Sequence, residues 1–167
     1  MAIGIFYGSN AGATQTVAEL IKEELGGDVD LIDISDAKVE DFDKYGKIIL
    51  GTSTWGEGDL QDDWDGFFED FQTVDFTGKT VAFFGMGDQV GYEENFQDAM
   101  GTLYHQALAK GAKVVGDNYP IEGFDFDEST AVVDGAFVGL AVDDDNQDEL
   151  TESRTKAWVS DIKQYFS

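Results

Sequence analysis

The chain has no cysteine, and that absence sets the first boundary on its chemistry. Without thiols there is no disulfide, no thiolate-ligated zinc and no cysteine-held iron–sulfur cluster, so any redox work falls to an organic cofactor. Proline is nearly absent too. One proline in 167 residues, with 42% hydrophobic residues, argues against linkers and for a single folded domain over residues 1–167. No apolar run reaches the length of a membrane span, and Met1 leads into the apolar segment Ala2 to Tyr7 without the basic flank of a signal peptide. The expectation is a cytoplasmic protein that does not insert into membranes. Basic residues are scarce: 10 Lys and Arg face 35 Asp and Glu, a formal net charge of −25. Such a surface repels nucleic acid and attracts basic proteins in a salt-dependent way, although solubility or a saline habitat would account for the same charge. There is one histidine, His105, placed mid-helix, and no catalytic constellation around it.

What is present is an alternation of short apolar runs with amphipathic stretches. Ile3 to Tyr7, Val29 to Ile32, Lys47 to Gly51, Thr80 to Phe84 and a run starting at Lys113 read as strands. Between them, helical spacing appears over Ala13 to Leu25, at Trp64, Phe67, Phe68 and Phe71, and over Phe96 to Lys110 before Gly111. Leu150, Trp158, Ile162 and Phe166 mark a closing helix. The pattern predicts an α/β fold: a doubly wound, three-layer, five-stranded parallel sheet with helices on both faces. Residues 119–142 fit the alternation poorly and read as an excursion of small strands and turns.

Ligands of such sheets bind beyond the carboxyl ends of the strands, so the loops after strands one, three and four carry the interest. The first, Gly8-Ser9-Asn10-Ala11-Gly12-Ala13-Thr14, offers backbone N–H groups, hydroxyls and a helix N-terminus without any charge, as a phosphate cradle of neutral donors requires. It lacks the Gly-Lys pair of a triphosphate loop and the spacing of a dinucleotide fingerprint. The second, Thr52-Ser53-Thr54-Trp55-Gly56-Glu57-Gly58-Asp59, sets a tryptophan between glycines, which suits a flat ring needing an aromatic face. The third runs from Gly85 to Asn95 and brings Tyr92 as a second face, with Asp88 and Asn95 for polar ring edges. Together they describe a site for a ring-bearing mononucleotide. Asp143-Asp144-Asp145 lacks the glycine and closing glutamate of a calcium loop and reads as a solvated acidic turn. Asp62, Asp63, Asp65, Glu69 and Asp70 read as the solvent face of a helix.

These residues resemble a known family. Phe6 to Thr14 is similar to the phosphate loop of flavodoxins; Thr54-Trp55 with Asp59-Leu60-Gln61 and Asp63-Trp64 resembles their second flavin loop. Gly87-Asp88-Gln89, Gly91-Tyr92 and Asn95 to Ala99 resemble the third, and Phe137 to Ala141 with Asp145-Asn146-Gln147 resembles the long-chain branch, whose fifth strand is interrupted by an inserted loop. The resemblance implies strand order 2-1-3-4-5 and FMN as cofactor. Ser9, Asn10, Ala11, Gly12, Ala13 and Thr14 would hold its phosphate, and Trp55 and Tyr92 would sandwich the ring. Thr52, Ser53, Thr54, Gly56, Glu57, Gly58, Gly87, Asp88, Asn95 and Gln97 would complete the site, the Gly56-Glu57 peptide lying next to flavin N5. Two positions depart from the pattern: Ala11 replaces a usual hydroxyl residue, and Ser53 stands where proline is common, which is expected to loosen the second loop.

The implied function is low-potential one-electron transfer through the semiquinone/hydroquinone couple, not enzyme catalysis. Partners would be redox proteins with basic docking faces, such as ferredoxin–NADP reductase or photosystem I, met by a monomeric carrier. Three alternatives compete: a flavin-dependent reductase with its own small substrate, a receiver-like signalling module, and a non-redox binding module that uses FMN only structurally. The second needs acidic residues where Gly8-Ser9 and Thr52-Ser53 stand.

Overall fold

Side chains that alternate across the central strands decide the architecture, because both faces of a parallel sheet must be covered. The computed structural model describes residues 2–10 and 12–166. The chain begins with β1 (Ile3–Tyr7), α1 (Ala13–Leu25), β2 (Val29–Asp33), the short α2 (Val39–Phe42), β3 (Lys47–Trp55), β4 (Asp59–Leu60) and α3 (Asp62–Phe71). It continues with β5 (Thr80–Met86), α4 (Asp98–Ala109), β6 (Lys113–Val114), β7 (Val132–Val133), β8 (Ala136–Phe137), β9 (Leu140–Val142) and α5 (Asp144–Phe166).

The main path through the sheet is β2-β1-β3-β5-β6, all parallel, with β9 also pairing with β5. On one face Phe6, Ile48, Leu50, Val81 and Phe83 pack against Trp64, Phe71, Met100 and Leu103 of α3 and α4. On the other, Ile3, Ile5, Ile49, Ala82 and Phe84 pack against Val17 and Ile21 of α1 and Trp158 and Ile162 of α5. Each fully buried aliphatic or aromatic chain contributes roughly 1.5–3 kcal/mol, so these two layers hold the sheet. The three-layer, doubly wound fold and the expected strand order are borne out.

Three boundaries differ from the sequence reading, each for a visible reason. β3 does not stop at Gly51: Thr52 and Ser53 stay in register with Gly85 and Met86 of β5, and Thr54 and Trp55 pair antiparallel with Leu60 and Asp59. The second loop therefore shrinks to the turn at 56–58. α4 begins at Asp98, not Phe96, because Gln97 takes a left-handed φ of 61° and the Phe96 N–H donates to the Glu128 carbonyl at 3.2 Å. α5 begins at Asp144 and is broken at Gln147, whose φ and ψ of −137° and 41° are not helical.

The fifth strand is split. β6 pairs with the start of β5 (Val81↔Val114), β9 with its end (Phe84↔Leu140), and the residues between leave the sheet. This excursion closes on itself through the β7–β8 hairpin, whose turn residues Asp134 and Gly135 both have the positive φ that a two-residue hairpin turn requires. An aromatic cluster seats it on the domain: the Phe96 ring lies 5.2 Å from Phe126 and 5.8 Å from Phe137, and Phe124 lies 5.3 Å from Phe137. The broken turn of α5 grips its far side. Gln147 donates to the Gly123 carbonyl at 2.9 Å and accepts from Arg154 at 2.7 Å. Arg154, the only arginine in the chain, sits 4.0 Å above the Phe124 ring.

Candidate functional site

At the carboxyl ends of β1, β3 and β5, the three glycine-rich segments converge on one cleft. The cleft is open to solvent and has a volume of about 130 Å³. Ser9, Asn10, Ala13, Thr14, Ser53, Thr54, Trp55, Gly87, Asp88 and Tyr92 line it, as do Met86, Asp144 and Asp145.

The floor at the first segment is the N-terminal end of α1. Gly12, at a φ of 92°, is the N-cap; no side chain caps it and no acidic residue occupies the first turn. First-turn N–H groups have no partner within a helix, so this end attracts an anion. The Ser9 hydroxyl accepts from the Gly12 N–H at 2.8 Å, closing the loop around that end. Asn10 is fixed from below by Gln61, which is fully buried: its amide donates to Asn10 Oδ1 at 2.8 Å while Oε1 accepts from the Asp63 and Trp64 N–H groups. A Cβ on residue 8 would fall 2.0 Å from Gln61 Oε1, so glycine is required there by the close approach of this amide.

The walls come from β3 and from the segment after β5. Trp55 is exposed at the mouth, and its indole N–H donates to Ser53 Oγ at 2.8 Å. Serine at 53, where looseness was expected, supplies a hydroxyl that holds the neighbouring indole. Thr54 ties the wall to α4 by accepting from the Ala99 N–H at 3.1 Å. Gly56 adopts a left-handed φ of 52° in the turn to β4, a conformation that costs glycine little. Opposite, Tyr92 ends a turn wound around Asp88, whose Oδ1 accepts from the Val90 and Gly91 N–H groups at 3.0 and 2.7 Å and from Asn146 Nδ2 at 2.8 Å. Partial burial alone would raise the Asp88 carboxyl, but these three donors outweigh it and hold the group below its ordinary value. The opposite holds at Asp145. Burial first, then repulsion from Asp88, Asp143 and Asp144, pushes it up.

Not every expected residue reaches the cleft. Thr52 is fully buried within the sheet, Gly56, Glu57 and Gly58 form the turn after Trp55 outside the lining, and Gly12 lies outside it too. Asn95 donates to Asp98 at 3.0 Å, and Gln97 is fully buried with Nε2 on the Val142 carbonyl at 3.0 Å. Gln97 Oε1 is buried against Gly85 without a hydrogen-bond partner among the described residues. Ala11 lies outside the described residues. The sequence reading also took 143–145 as a solvated turn; Asp143 is instead fully buried, accepting from the Gln89 N–H and amide and from Asn146. Asp144 and Asp145 were missed as lining residues. Their position just after the last strand, at its carboxyl end, was the available signal.

The likeness to known proteins follows the same residues. The flavodoxin family model matches residues 5–158. The chain belongs to the flavodoxin family. It is 57% identical to the flavodoxin of Synechocystis sp. over 163 residues, covering 96% of this chain and 95% of that one. With flavodoxin 1 of Escherichia coli it shares 45% over 167 residues, 98% and 94% of the two chains. Among solved structures, Fusobacterium nucleatum flavodoxin bound to flavin mononucleotide superimposes with a TM-score of 0.93 at 31% identity, covering 99% of each chain. Flavodoxins are electron-transfer proteins, and neither a reductase with its own substrate nor a receiver-like module is favoured by these matches.

Proposed function

We propose that this flavodoxin-family chain binds FMN in the cleft and carries single electrons between other proteins. The observation that carries the reading is the pairing of a cation-free anion seat at the start of α1 with two aromatic walls, Trp55 and Tyr92, at one open-mouthed cleft. The donor set fits the group. Ser9, Gly12, Ala13 and Thr14 would hold the phosphate by hydroxyls and N–H groups, and the two rings would cover the faces of the isoalloxazine. FMN supplies the one-electron chemistry when bound. The protein biases it: apolar rings and carboxylates at Asp88, Asp144 and Asp145 all disfavour added negative charge in the cleft. The left-handed turn at Gly56 supports a peptide able to reorient its carbonyl toward a proton at the ring's edge.

The same acidity supports docking to basic-faced partners, of which ferredoxin–NADP reductase and photosystem I are examples, by a monomeric cytoplasmic carrier. The test is direct. The purified protein should bind one FMN, and reductive titration should resolve two one-electron steps, the second well below that of free FMN. One merged two-electron step would overturn the reading. Association with a basic redox partner should slow steeply as salt rises; a flat dependence would refute electrostatic docking.

A further inference from the structure

Gln89 is buried, does not line the cleft, and yet engages its backbone N–H and both ends of its side-chain amide beside the cleft's outer wall. Its backbone N–H and its amide both donate to Asp143 Oδ2, at 3.1 and 2.7 Å. Its carbonyl oxygen accepts from the Asp125 N–H, in the excursion of the fifth strand, at 2.6 Å. Asp143 accepts from four groups: the backbone N–H and side-chain amide of Gln89, and the backbone N–H and side-chain amide of Asn146. Asn146 then reaches outward to Asp88 Oδ1, the carboxylate around which the Tyr92 turn is wound. A second strut runs alongside, since the Asp127 and Glu128 N–H groups both donate to the Glu93 carbonyl, at 2.7 and 3.0 Å.

We propose that Gln89 and Asn146 are positioning residues for the flavin ring, and that the excursion between β6 and β9 serves the site through them. The node Asp143–Gln89–Asn146 joins three parts distant in sequence: the Tyr92 turn, the start of α5 and the excursion. A buried amide with both ends engaged resists rotation, and removing it costs the Asp125 N–H its acceptor and Asp143 Oδ2 one of its three donors. The Tyr92 wall is thereby set before any ligand arrives, which lowers the ordering cost of binding. The inference rests on the FMN reading for its ligand but not for its geometry.

Two variants and two readouts test it. Gln89→Leu keeps the volume and removes the amide; Asn146→Ala removes the outer tether from an exposed side chain, so the test survives if the first variant fails to fold. In the apoprotein, amide hydrogen exchange at Val90, Gly91 and Tyr92 should accelerate by at least about tenfold in either variant, with the α1 amides unchanged. In titrations, affinities for FMN and for riboflavin should fall by the same factor, on the order of tenfold for Gln89→Leu and less for Asn146→Ala, because the ring wall is lost and the phosphate seat is not. Unchanged exchange in the 90–92 amides, or a loss confined to FMN, would overturn the proposal. Failure of the unaltered protein to bind FMN would instead sink the functional reading, and the exchange result would still decide whether the node holds the turn.

Discussion

Removing one hydroxyl should separate the orientation of the inner wall from its presence. In Ser53→Ala the Cβ, the strand register with Met86 and the burial of position 53 all persist, and only the acceptor for the Trp55 indole N–H is lost. A hydrogen bond of this kind is worth a net of about 1 kcal/mol, which is about a fivefold bias toward the indole orientation that it holds. Trp55 is 41% exposed, so water can replace the serine and the realised loss should lie toward the lower end, roughly two- to fivefold. Binding to a wall that adopts its competent orientation only part of the time weakens affinity by that fraction. The assay is titration of the apoprotein with FMN and with riboflavin, followed by quenching of flavin fluorescence, alongside thermal unfolding of the apoprotein. Both ligands should weaken by the same factor while the unfolding midpoint stays nearly constant. An unchanged affinity would show that the indole is held by something other than Ser53. A loss beyond about twentyfold with an unchanged midpoint would mean that the serine contacts the ligand itself, and the orientation argument would fail.

Three further outcomes are expected. Tyr45 donates to Asp30 at 2.8 Å, and burial first, then that bond, pushes its phenol up to about 12. Because the folded value exceeds the unfolded one near 10, the contribution is complete below pH 10 and is lost as pH rises toward 12. Over that window the stability difference between the parent and Tyr45→Phe should shrink by roughly 2–3 kcal/mol in denaturant titrations at stepped pH; a constant difference would refute it. Asp145, raised by burial and by its carboxylate neighbours, opposes both folding and an anion in the cleft once ionised. Asp145→Asn should therefore tighten FMN binding at neutral pH, by a few tenths of a kcal/mol up to about 1, with a smaller gain for riboflavin; equal gains for both would place the effect away from the phosphate. Gly51→Ala would bring a Cβ to within 2.0 Å of the Phe84 ring at the centre of the sheet. A loss of roughly 3 kcal/mol should appear in chemical denaturation, and a variant of parental stability would show that Phe84 moves aside freely.

How far the sequence could be read depends on where each residue's partners come from. Ile48 to Leu50 and Val81 to Phe84 announce themselves because burial on both faces leaves a continuous apolar run. Thr52 to Thr54 were taken for loop since hydroxyl residues look solvent-facing, yet β5 pairs beside them and Thr54 meets the Ala99 N–H, 45 residues away. Asp143 misled in the same manner. An aspartate triplet is polar by composition, and donors brought from position 89, 54 residues distant, join those of Asn146 to make burial of the first member tolerable. Aromatic walls and the neutral anion seat were legible because each rests on a local pattern. Gln61, Gln89 and Asn146, which hold those patterns in place, act through long-range bonds that no spacing records.

The split in the fifth strand gives the molecule a seam. Val114 stands opposite Val81 and Leu140 opposite Phe84, so only the two positions facing Ala82 and Phe83 separate the severed ends along their shared neighbour. A two-residue splice would bridge that distance in extended conformation, and the whole excursion departs from and rejoins the sheet at one place. The strand order thus does not depend on the length of this segment, provided that a replacement covers the core face now covered by Ala131 and Phe137. What such an exchange would alter is the hold on the Tyr92 turn through Gln89 and Glu93, which makes the excursion an adjustable part mounted on a fixed frame.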